Sequence, residues 1–386
     1  MVYSLEELFD LQMGKTPSRN NFNYWNTNDN KWISISDLSQ SGRYIHETKE
    51  YISDDAIAES GIKVIPANTV IMSFKLSIGK VAITKEEMYS NEAIMAFHDK
   101  HTAELLPEYI YYLFRNKDWS IGTNKAVMGK TLNKATLSQM KISVCSIQKQ
   151  REIVSVLNKV SEIIDNMKDQ IFALDELIKS RFVEMFGDPV ENPKGWVKKP
   201  FLSMGNCKNG MNFHHEDIGI EIHCLGVGDF KDLTVIDNVE ELPKVSLNKM
   251  PSEEYLLKDE DIVFVRSNGN KALVGRSVAV YPSNVSTTFS GFCIRYRKTD
   301  DAISVPYLLR VLKMDSMRQK MAGRGANIQN LNQQILETLE IPVPPIELQK
   351  QFAAFVHQVD KLKLTAKESL KKLEIMQKAL MQQYFC

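Results

Sequence analysis

The sequence lacks a net charge, a cysteine framework and a long apolar run, and each absence excludes a class of protein. Its 48 Lys and Arg balance 48 Asp and Glu, which argues against nucleic-acid binding that rests mainly on counterion release. Its five cysteines are scattered without a C-x-x-C pair, so we expect neither disulfides nor a zinc site, and a reducing, cytoplasmic location. We also expect neither a signal peptide nor a membrane span.

Signatures of catalysis are missing as well. Gly14-Lys15-Thr16 resembles the end of a P-loop, but Phe9 stands where that loop needs its first glycine. The histidine cluster, His214-His215 with His223, lacks metal-ligand spacing on a helix. There is no G-x-S-x-G, no Asn-Pro-Pro-aromatic tetrapeptide and no glycine-rich cofactor loop. We therefore expect no enzyme activity, no cofactor and no metal.

The chain consists instead of two copies of one unit. A shift of 199 residues aligns the two copies without a gap over their distal parts, and most apolar positions stay apolar. The same shift, which we call the copy shift, places Leu106–Tyr109 on Val305–Leu308 upstream, and looser matches lie further upstream, where loop lengths vary. Chance similarity between two ordinary α+β domains is the alternative. The aligned pairs include Leu132 with Leu331, Gln150 with Gln349, Leu174 with Leu373, and Phe186 with Phe385.

Short strands and one helix are predicted in the first ~140 residues of each copy, because β-branched and aromatic runs alternate with Gly, Asn, Asp and Pro. The helices are predicted near Pro107–Asn116 and Pro306–Met321. The predicted strands are Lys31–Ser36, Val70–Phe74, Val81–Thr84 and Ala93–His98, then Glu221–Val227, Asp261–Arg266, Ser277–Tyr281 and Phe289–Arg297.

A long helix is predicted at the end of each copy. Eight apolar residues from Ile153 to Ile178 alternate spacings of four and three, which is a heptad seam of about four heptads. The second copy follows the same lattice, interrupted by Lys363 and Gln377. Forty residues give a helix of ~60 Å. Its partner is expected to be the other copy's helix, in an antiparallel pair with a pseudo-two-fold axis. The alternative is that each helix lies on its own globular domain.

The predicted architecture is α+β, with two globular domains separated by two antiparallel coiled-coil helices. The first domain covers residues 1–145 and its helix 146–186. The second domain covers 187–345, beginning with the Gly- and Pro-containing linker 187–195, and its helix 346–386. Two-fold related readers engage DNA half-sites about one helical turn apart, or a multiple of it, and a helix pair of this length would set such a spacing.

Several stretches of this sequence resemble the specificity (S) subunits of type I restriction-modification systems. They are the segment from Ile341 to Lys350 and its twin from Ile142 to Arg151, the segment from Arg181 to Trp196, and Val263–Arg266 with Gly275-Arg276. The resemblance covers the whole chain. The first copy departs from it by replacing three prolines with Ser143, Cys145 and Ser146, and by placing Phe74 where the second has Arg266.

This resemblance implies that each globular domain reads one half of a split target in double-stranded DNA. It also implies that the helices set the gap and bind two methyltransferase (M) subunits. Restriction/translocase (R) subunits would join the full complex, and the S subunit itself would have no catalytic site.

Base reading needs Arg or Lys for guanine and Asn or Gln for adenine, carried on loops or helices. Two loops concentrate these residue types, and further candidates lie beside them or just before the aligned region. The candidate DNA-binding residues are Lys15, Arg19, Asn20, Asn21, Asn23, Lys75, Lys125 and Lys130 in the first copy, and Arg266, Asn268, Asn270, Lys271, Arg276, Arg324 and Gln329 in the second. For any one of them, an ordinary polar surface loop is the alternative.

Two rival functions remain open on the sequence alone. One is a duplicated coiled-coil adaptor that holds two protein partners without contacting DNA. The other is an enzyme whose site depends on a perturbed buried residue, which a sequence does not reveal. Salt-dependent DNA binding of the chain, co-expressed with a neighbouring adenine methyltransferase, would separate the adaptor from the DNA reader.

Overall fold

The computed structural model describes residues 1–75, 77–119, 124–126, 129–213, 219–231, 233–322 and 330–385, and for 124–126 and 129–131 it describes the backbone alone. The helices are α1 Leu5–Leu8, α2 Ile35–Gln40, α3 Asp54–Ser60, α4 Pro107–Asn116, α5 Lys134–Ser138, α6 Ile147–Phe186, α7 Val305–Lys313, α8 Asp315–Ala322, α9 Gln333–Glu337 and α10 Ile346–Phe385. None of these described helices is long and apolar enough to cross a membrane.

The strands fall into two series. The first series is β1 Val2–Ser4, β2 Phe9–Met13, β3 Asn30–Ile33, β4 Tyr44–Ile45, β5 Glu50–Ile52, β6 Val70–Ser73, β7 Val81–Thr84, β8 Tyr89–Ser90, β9 Ile94–Asp99, β10 Asn124–Ala126, β11 Gly129–Thr131 and β12 Lys141–Ser143. The second series is β13 Lys198–Pro200, β14 Gly205–Asn209, β15 Ile220–Leu225, β16 Val235–Ile236, β17 Lys244–Leu247, β18 Asp261–Val265, β19 Ser277–Val280, β20 Thr287–Phe289, β21 Cys293–Lys298 and β22 Glu340–Pro342.

Apart from the β10-β11 pair, which has no counterpart among the described residues of the second copy, the sheets repeat strand for strand, and this confirms the predicted duplication and the α+β class. A five-stranded sheet with the order β2-β9-β6-β7-β4 has its counterpart in β14-β21-β18-β19-β16. A three-stranded sheet, β5-β3-β8, has its counterpart in β17-β15-β20. The pairs β1-β12 and β13-β22 complete the correspondence. Two copies of one sheet topology, in the same chain order, exclude chance similarity between unrelated domains.

Each five-stranded sheet is covered on both faces, because successive side chains of a strand point to opposite sides. In β6, Val70 and Met72 pack in the cluster that also contains α4, while Ile71 packs in a separate cluster on the other face. In β18, Ile262 and Phe264 divide from Val263 and Val265 in the same way. This accounts for the continuous apolar runs in these strands.

Three predicted boundaries were wrong, each for a local reason. The strand Lys31–Ser36 ends at Ile33, because Ser34 caps α2 and its hydroxyl accepts from the Asp37 amide at 3.2 Å. The strand Phe289–Arg297 is two strands, separated by a turn that the Cys293 amide closes on the Ser290 carbonyl. The helix Pro306–Met321 is also two helices, because Met314 has an extended backbone with ψ 140°.

The two long helices pack together, and their ends pack on the globular cores, so both predicted partners are present. The chain divides into two compact units. Unit 1 is Met1–Asp169 with Lys367–Cys386, and unit 2 is Gln170–Ala366. Each unit thus contains one globular domain and a segment of each long helix. In unit 1, Ile153 and Leu157 of α6 and Phe385 of α10 join the core that contains α4.

Unit 2 contains the complementary helix segments, and their order shows that they run antiparallel. Asp175 of α6 pairs with Lys363 of α10, and further along α6 the rings of Phe182 and Phe186 meet Phe352. Residue numbers rise along α6 as they fall along α10. The middle of the predicted seam is only half-buried, and the most buried helix residues lie where the helices meet the globular core.

One helix departs from the copy shift by a single position. The Tyr109 hydroxyl donates to the Ser143 carbonyl at 3.2 Å, and the Tyr307 hydroxyl donates to the Pro342 carbonyl at 2.9 Å. Ser143 and Pro342 are equivalent under the copy shift, but Tyr307 stands just before the residue that the shift pairs with Tyr109. The predicted match of Leu106–Tyr109 to Val305–Leu308 is therefore wrong by one position, because the connection before α7 is shorter by that amount.

Candidate nucleic-acid interface

The first candidate loop, between β2 and β3, begins at a glycine that the fold requires. A Cβ at Gly14 would lie 2.2 Å from the Asn91 carbonyl oxygen, so only glycine allows this close backbone approach. The Lys15 amide donates to the Ser90 carbonyl at 2.8 Å. Gly210 meets Ser290 in the same way in the second copy, at 2.1 Å. The backbone of Gly14 and Lys15 therefore takes part in pairing between strands.

Arg19 is held firmly within this loop. Its guanidinium pairs with both oxygens of Glu50, with the second contact at 3.1 Å. It also stacks over the Trp25 ring at 3.7 Å and lies 4.9 Å from the Trp32 ring. The indole of Trp25 donates to the Ser18 carbonyl at 3.0 Å. These contacts fix the loop, and an Arg19 that contacted a base would have to share its guanidinium with Glu50.

Glu92 brings Lys75 to the same loop, although Lys75 and Arg19 are far apart in the sequence. The Thr16 hydroxyl donates to the Glu92 carboxylate and, together with the charges of Lys75 and Arg19, lowers the pKa of Glu92. The ammonium of Lys75 also lies 5.2 Å from the Phe74 ring. The structure thus places the candidate Lys75 beside the candidate loop.

The tip of the loop exposes polar amides and one aromatic ring. Asn20 and Asn23 are exposed, whereas Asn21 accepts from the Asn23 amide at 3.2 Å and begins a single turn of 3-10 helix. Phe22 on that turn is 83% exposed, and the sequence analysis did not select it. Nucleic-acid-binding proteins use exposed aromatic rings to stack on bases or to wedge between them.

The second candidate loop follows β18 and corresponds to the segment after β6 in the first copy, which begins at Phe74 and includes Lys75. The Arg266 amide donates to the Phe292 carbonyl at 2.8 Å, and its own carbonyl accepts from the Leu331 amide at 2.8 Å. Phe74 makes the corresponding bonds with Ala93 and Leu132, at 3.0 and 3.1 Å. The copy shift relates both bonding partners in one copy to those in the other. The predicted equivalence of Phe74 and Arg266 is therefore confirmed.

Asparagines shape this loop from within. The Asn268 side chain accepts from the Asn270 amide at 2.8 Å, and the Asn270 side chain accepts from the Ala272 amide at 3.1 Å. Lys271 is exposed beside them. The guanidinium of Arg266 is half-buried and makes one long bond, 3.4 Å, to the Gly291 carbonyl. This long bond holds the Arg266 guanidinium only weakly.

Arg276 ends the same loop, where β19 begins. Its guanidinium donates to the Lys231 carbonyl at 2.9 Å. Phe292, on the turn that bonds Arg266, is 61% exposed and was also missed by the sequence analysis. Phe22 and Phe292 share one signal that could have found them, since each is a phenylalanine in an otherwise polar or Gly-containing turn.

Four candidates lie where the structure describes no side chain. Lys125 and Lys130 are opposite one another in the β10-β11 pair, of which only the backbone is described. Arg324 and Gln329 lie outside the described residues, as do His214 and His215. Within the described part of the chain, no group of three or more His, Cys, Asp and Glu side chains could hold a metal ion.

In each copy, one buried glutamine connects the globular domain to its long helix. The alignment paired these two glutamines but did not reveal this role. The Gln150 carbonyl accepts from the Leu106 amide at 3.0 Å, and its amide donates to the carbonyls of Glu104 and Cys145. Gln349 is also fully buried and repeats this pattern at the start of α10. Each glutamine satisfies the backbone where the helix leaves the domain, and so fixes the helix relative to the loops.

Comparison with known proteins agrees with this arrangement. A family model for the type I restriction modification DNA specificity domain matches residues 1–175 and 230–375. The specificity subunit of the type I restriction enzyme MjaIX from Methanocaldococcus jannaschii is 26% identical over 69% of this chain and 66% of its own length. The EcoR124I/EcoR124II specificity subunit of Escherichia coli is 26% identical over 43% of this chain and 42% of its own length.

Solved structures show the same fold. The S subunit of a type I restriction-modification system from M. genitalium covers the whole chain at 15% identity and 96% of its own length, with a TM-score of 0.55. A chain from a study of complex assembly and conformational transition in the type I R-M system covers the whole chain and 97% of its own, with a TM-score of 0.61. The chain therefore belongs to the type I restriction-modification DNA specificity domain family, and it is similar to specificity subunits over most of its length.

Proposed function

We propose that this chain is the DNA-reading subunit of a type I restriction-modification complex and does no chemistry itself. Each globular domain reads one half of a split double-stranded target through its candidate loop. The two long helices set the gap between the halves and hold two methyltransferase subunits, and restriction/translocase subunits join the full complex. The domain boundaries at residues 145, 186 and 345 remain predictions within this proposal.

One observation supports the DNA-reading proposal: the two copies share the backbone positions that hold these segments, but the side chains on the segments differ. Both copies anchor the segment after the central strand, which begins at Phe74 in the first copy and at Arg266 in the second, to the same two backbone positions. Each copy also has an exposed phenylalanine on a loop or turn of its domain, Phe22 in the first and Phe292 in the second. The side chains differ, however, because Phe74 stands where the second copy has Arg266. The first copy also has Arg19, which is paired with Glu50. A repeated frame with different readers is what a target with two different halves requires.

The helices support the second part of the proposal, because they expose apolar residues at equivalent positions. Ile163 and Leu362 are equivalent under the copy shift and are 46% and 60% exposed. Leu177 and Met376 are equivalent in the same way and are 47% and 43% exposed. Each unit therefore presents one residue from each pair. Two equal apolar surfaces fit two copies of one partner better than two different partners.

Replacing Arg266 with Ala should relax one half of the target and leave the other half unchanged. A bidentate arginine–guanine contact contributes roughly 1–3 kcal/mol of discrimination, while the single 3.4 Å bond to Gly291 adds little to stability. Sequencing of methylated bases across the genome measures both halves at once. Lys75→Ala is the matched variant in the other domain and should relax only the opposite half. A target unchanged in both variants, or relaxed in both halves by either, would contradict two independent readers.

Replacing Ile163 with Asp should remove one methyltransferase copy, and the Ile163→Asp/Leu362→Asp double variant should remove both. A carboxylate in each equivalent apolar surface would have to be desolvated on docking. Native mass spectrometry of the co-purified complex gives the stoichiometry. Phe172→Asp is the control, because Phe172 is 68% exposed but its counterpart is Lys371, so an equal pair of surfaces cannot depend on it. Two bound copies in the double variant would refute this docking surface.

The adaptor alternative shares the helices and differs only in the loops. It predicts that methylation, if present, follows the same target after both loops are altered. The Arg266 and Lys75 variants therefore separate the two functions, since an adaptor has no reason to change the sequence that is methylated.

A further inference from the structure

A basic groove lies beside the reading loop of unit 2. It has a volume of about 380 Å³ and is open to solvent. Its lining includes four cations, Lys231, Arg276, Lys313 at the end of α7 and Arg318 of α8, together with the buried Ser277. Among the described residues that line it there is no carboxylate. We call these five residues the basic groove.

Lys313 and Arg318 of the basic groove are partly desolvated, and each lies near another cation. Burial, together with the charges of Arg310 and Lys363, lowers the pKa of Lys313 to about 8. Burial and the neighbouring Arg276 lower the pKa of Arg318. Both pKa shifts mean that the charged forms of Lys313 and Arg318 are destabilised in the folded protein. An anion bound in the groove would reduce this destabilisation.

One buried hydroxyl in the lining of the groove also has no hydrogen-bond partner. Ser277 is 3% exposed, and among the described residues its hydroxyl is one of the few buried oxygens without a hydrogen bond. The first copy has Val81 at the start of the equivalent strand β7. A buried hydroxyl without a partner is uncommon, and here it lines a groove of cations, where an anionic oxygen would accept its bond.

We propose that the basic groove binds a phosphodiester of the DNA backbone and so positions the second domain on its half-site without reading sequence. This inference rests on the proposed DNA-reading function and adds to it four residues that the sequence analysis did not select. A phosphodiester offers two anionic oxygens to several donors at once, which suits a groove lined by two arginines and two lysines.

The position of the groove favours backbone phosphate over a small soluble phosphate. Ala272 and Arg276 belong to both the groove and the loop that begins at Arg266. A duplex contacted by that loop has its backbone phosphates along the edges of the same DNA groove, whose depth is about 8.5 Å. Phosphate contacts fix register and orientation, which base-reading loops need but do not supply alone. The first copy retains Lys80 where the second has Arg276, since the Lys80 and Arg276 carbonyls accept equivalent strand bonds at 2.9 Å.

The test is the salt dependence of DNA binding by the full chain, co-purified with its methyltransferase. We compare wild type with the Lys231→Gln/Arg318→Gln variant on two labelled duplexes, one with the methylated target and one of unrelated sequence. The variant should weaken binding to both duplexes by the same factor. The slope of log affinity against log salt should become shallower by about one for each phosphate that the variant no longer binds. The methylated target should stay the same.

The control is Lys258→Gln, which removes a lysine of the same unit that is 54% exposed and paired with Glu253. It should leave the slope unchanged, and thermal melting should show that both variants are folded. An unchanged slope in the groove variant overturns the proposal, and so does a changed target, which would make the groove a base reader. Stabilisation of wild type alone by inorganic phosphate, with unchanged DNA slopes, would assign the groove to a small phosphate and overturn it as well.

These outcomes separate the groove from the wider function. If wild type shows salt-dependent binding and a split target while the groove variant behaves identically, only the groove proposal fails. If wild type binds neither duplex, the DNA-reading function fails and the groove proposal fails with it.

Discussion

Phe352→Ala should lower the free energy of unfolding of unit 2 by about 3–5 kcal/mol, as removal of a buried ring from a core does. Phe352 is fully buried at the start of α10. Its ring meets Phe182 and Phe186 of α6, each at a centroid distance of 5.5 Å, and those two rings meet Tyr307 of α7. One side chain therefore joins both long helices to the globular core, and no neighbour can fill the cavity without moving a helix.

Chemical denaturation followed by fluorescence or circular dichroism would measure this loss. Phe22→Ala is the matched control, because it removes the same ring from a site that is 83% exposed; it should leave stability nearly unchanged. Ile153→Ala at the equivalent position of unit 1 should cost less, since it removes fewer atoms. A Phe352→Ala protein as stable as Phe22→Ala would show that the aromatic cluster does not hold the helices on the domain.

Asp261→Ala should cost a similar amount, about 3–5 kcal/mol, because it leaves a largely buried cation without its partner. Asp261 is fully buried and binds Arg297 through both carboxylate oxygens, at 2.8 and 2.7 Å. One of these oxygens also accepts from the Lys258 amide at 2.7 Å. This pair ties β18 to β21, the two strands whose ends carry the reading loop of unit 2 and its exposed Phe292.

The same denaturation measurement applies, with two comparisons. Asp261→Asn keeps one carbonyl oxygen for Arg297 and should lose less than Asp261→Ala. Glu221→Ala breaks an ion pair whose carboxylate is 65% exposed, and it should change stability little. If Asp261→Ala were as mild as Glu221→Ala, the buried pair would not be what holds these strands. The first copy places Thr69 and His98 at these positions, so it does without the pair.

The sequence allowed the duplication, the fold class and both long helices to be predicted, because apolar spacing alone determines them. The sequence also showed two polar interruptions of the seam, but only the structure shows their partners. Lys363 and Gln377 interrupt the apolar seam of α10, and each meets a polar partner on α6. Lys363 pairs with Asp175, and Gln377 donates to the Ser161 hydroxyl at 2.9 Å. A polar residue in a seam is paired across it, which helps fix the register of two helices.

Other features depend on contacts that spacing does not encode. The offset of α7 by one position follows from a shorter connection, and the two tyrosine hydroxyl bonds that reveal it span 34 and 35 residues. In the candidate loops, composition selected the segments but not the contacts of their side chains. It could not show that Arg19 is held by Glu50 or that Lys75 lies close to Glu92. It also passed over the basic groove, whose cations come from separate segments of the second copy.

The proposal of two DNA readers in one chain is tested most directly by determining the DNA sequence that the intact system methylates. Genomic methylation would be sequenced in cells that express this chain with its neighbouring adenine methyltransferase, and in cells that express the methyltransferase alone. We expect a target of two short defined halves separated by an unspecified gap, present only with the chain. A single continuous target, or the same methylation without the chain, would contradict a duplicated subunit with two readers.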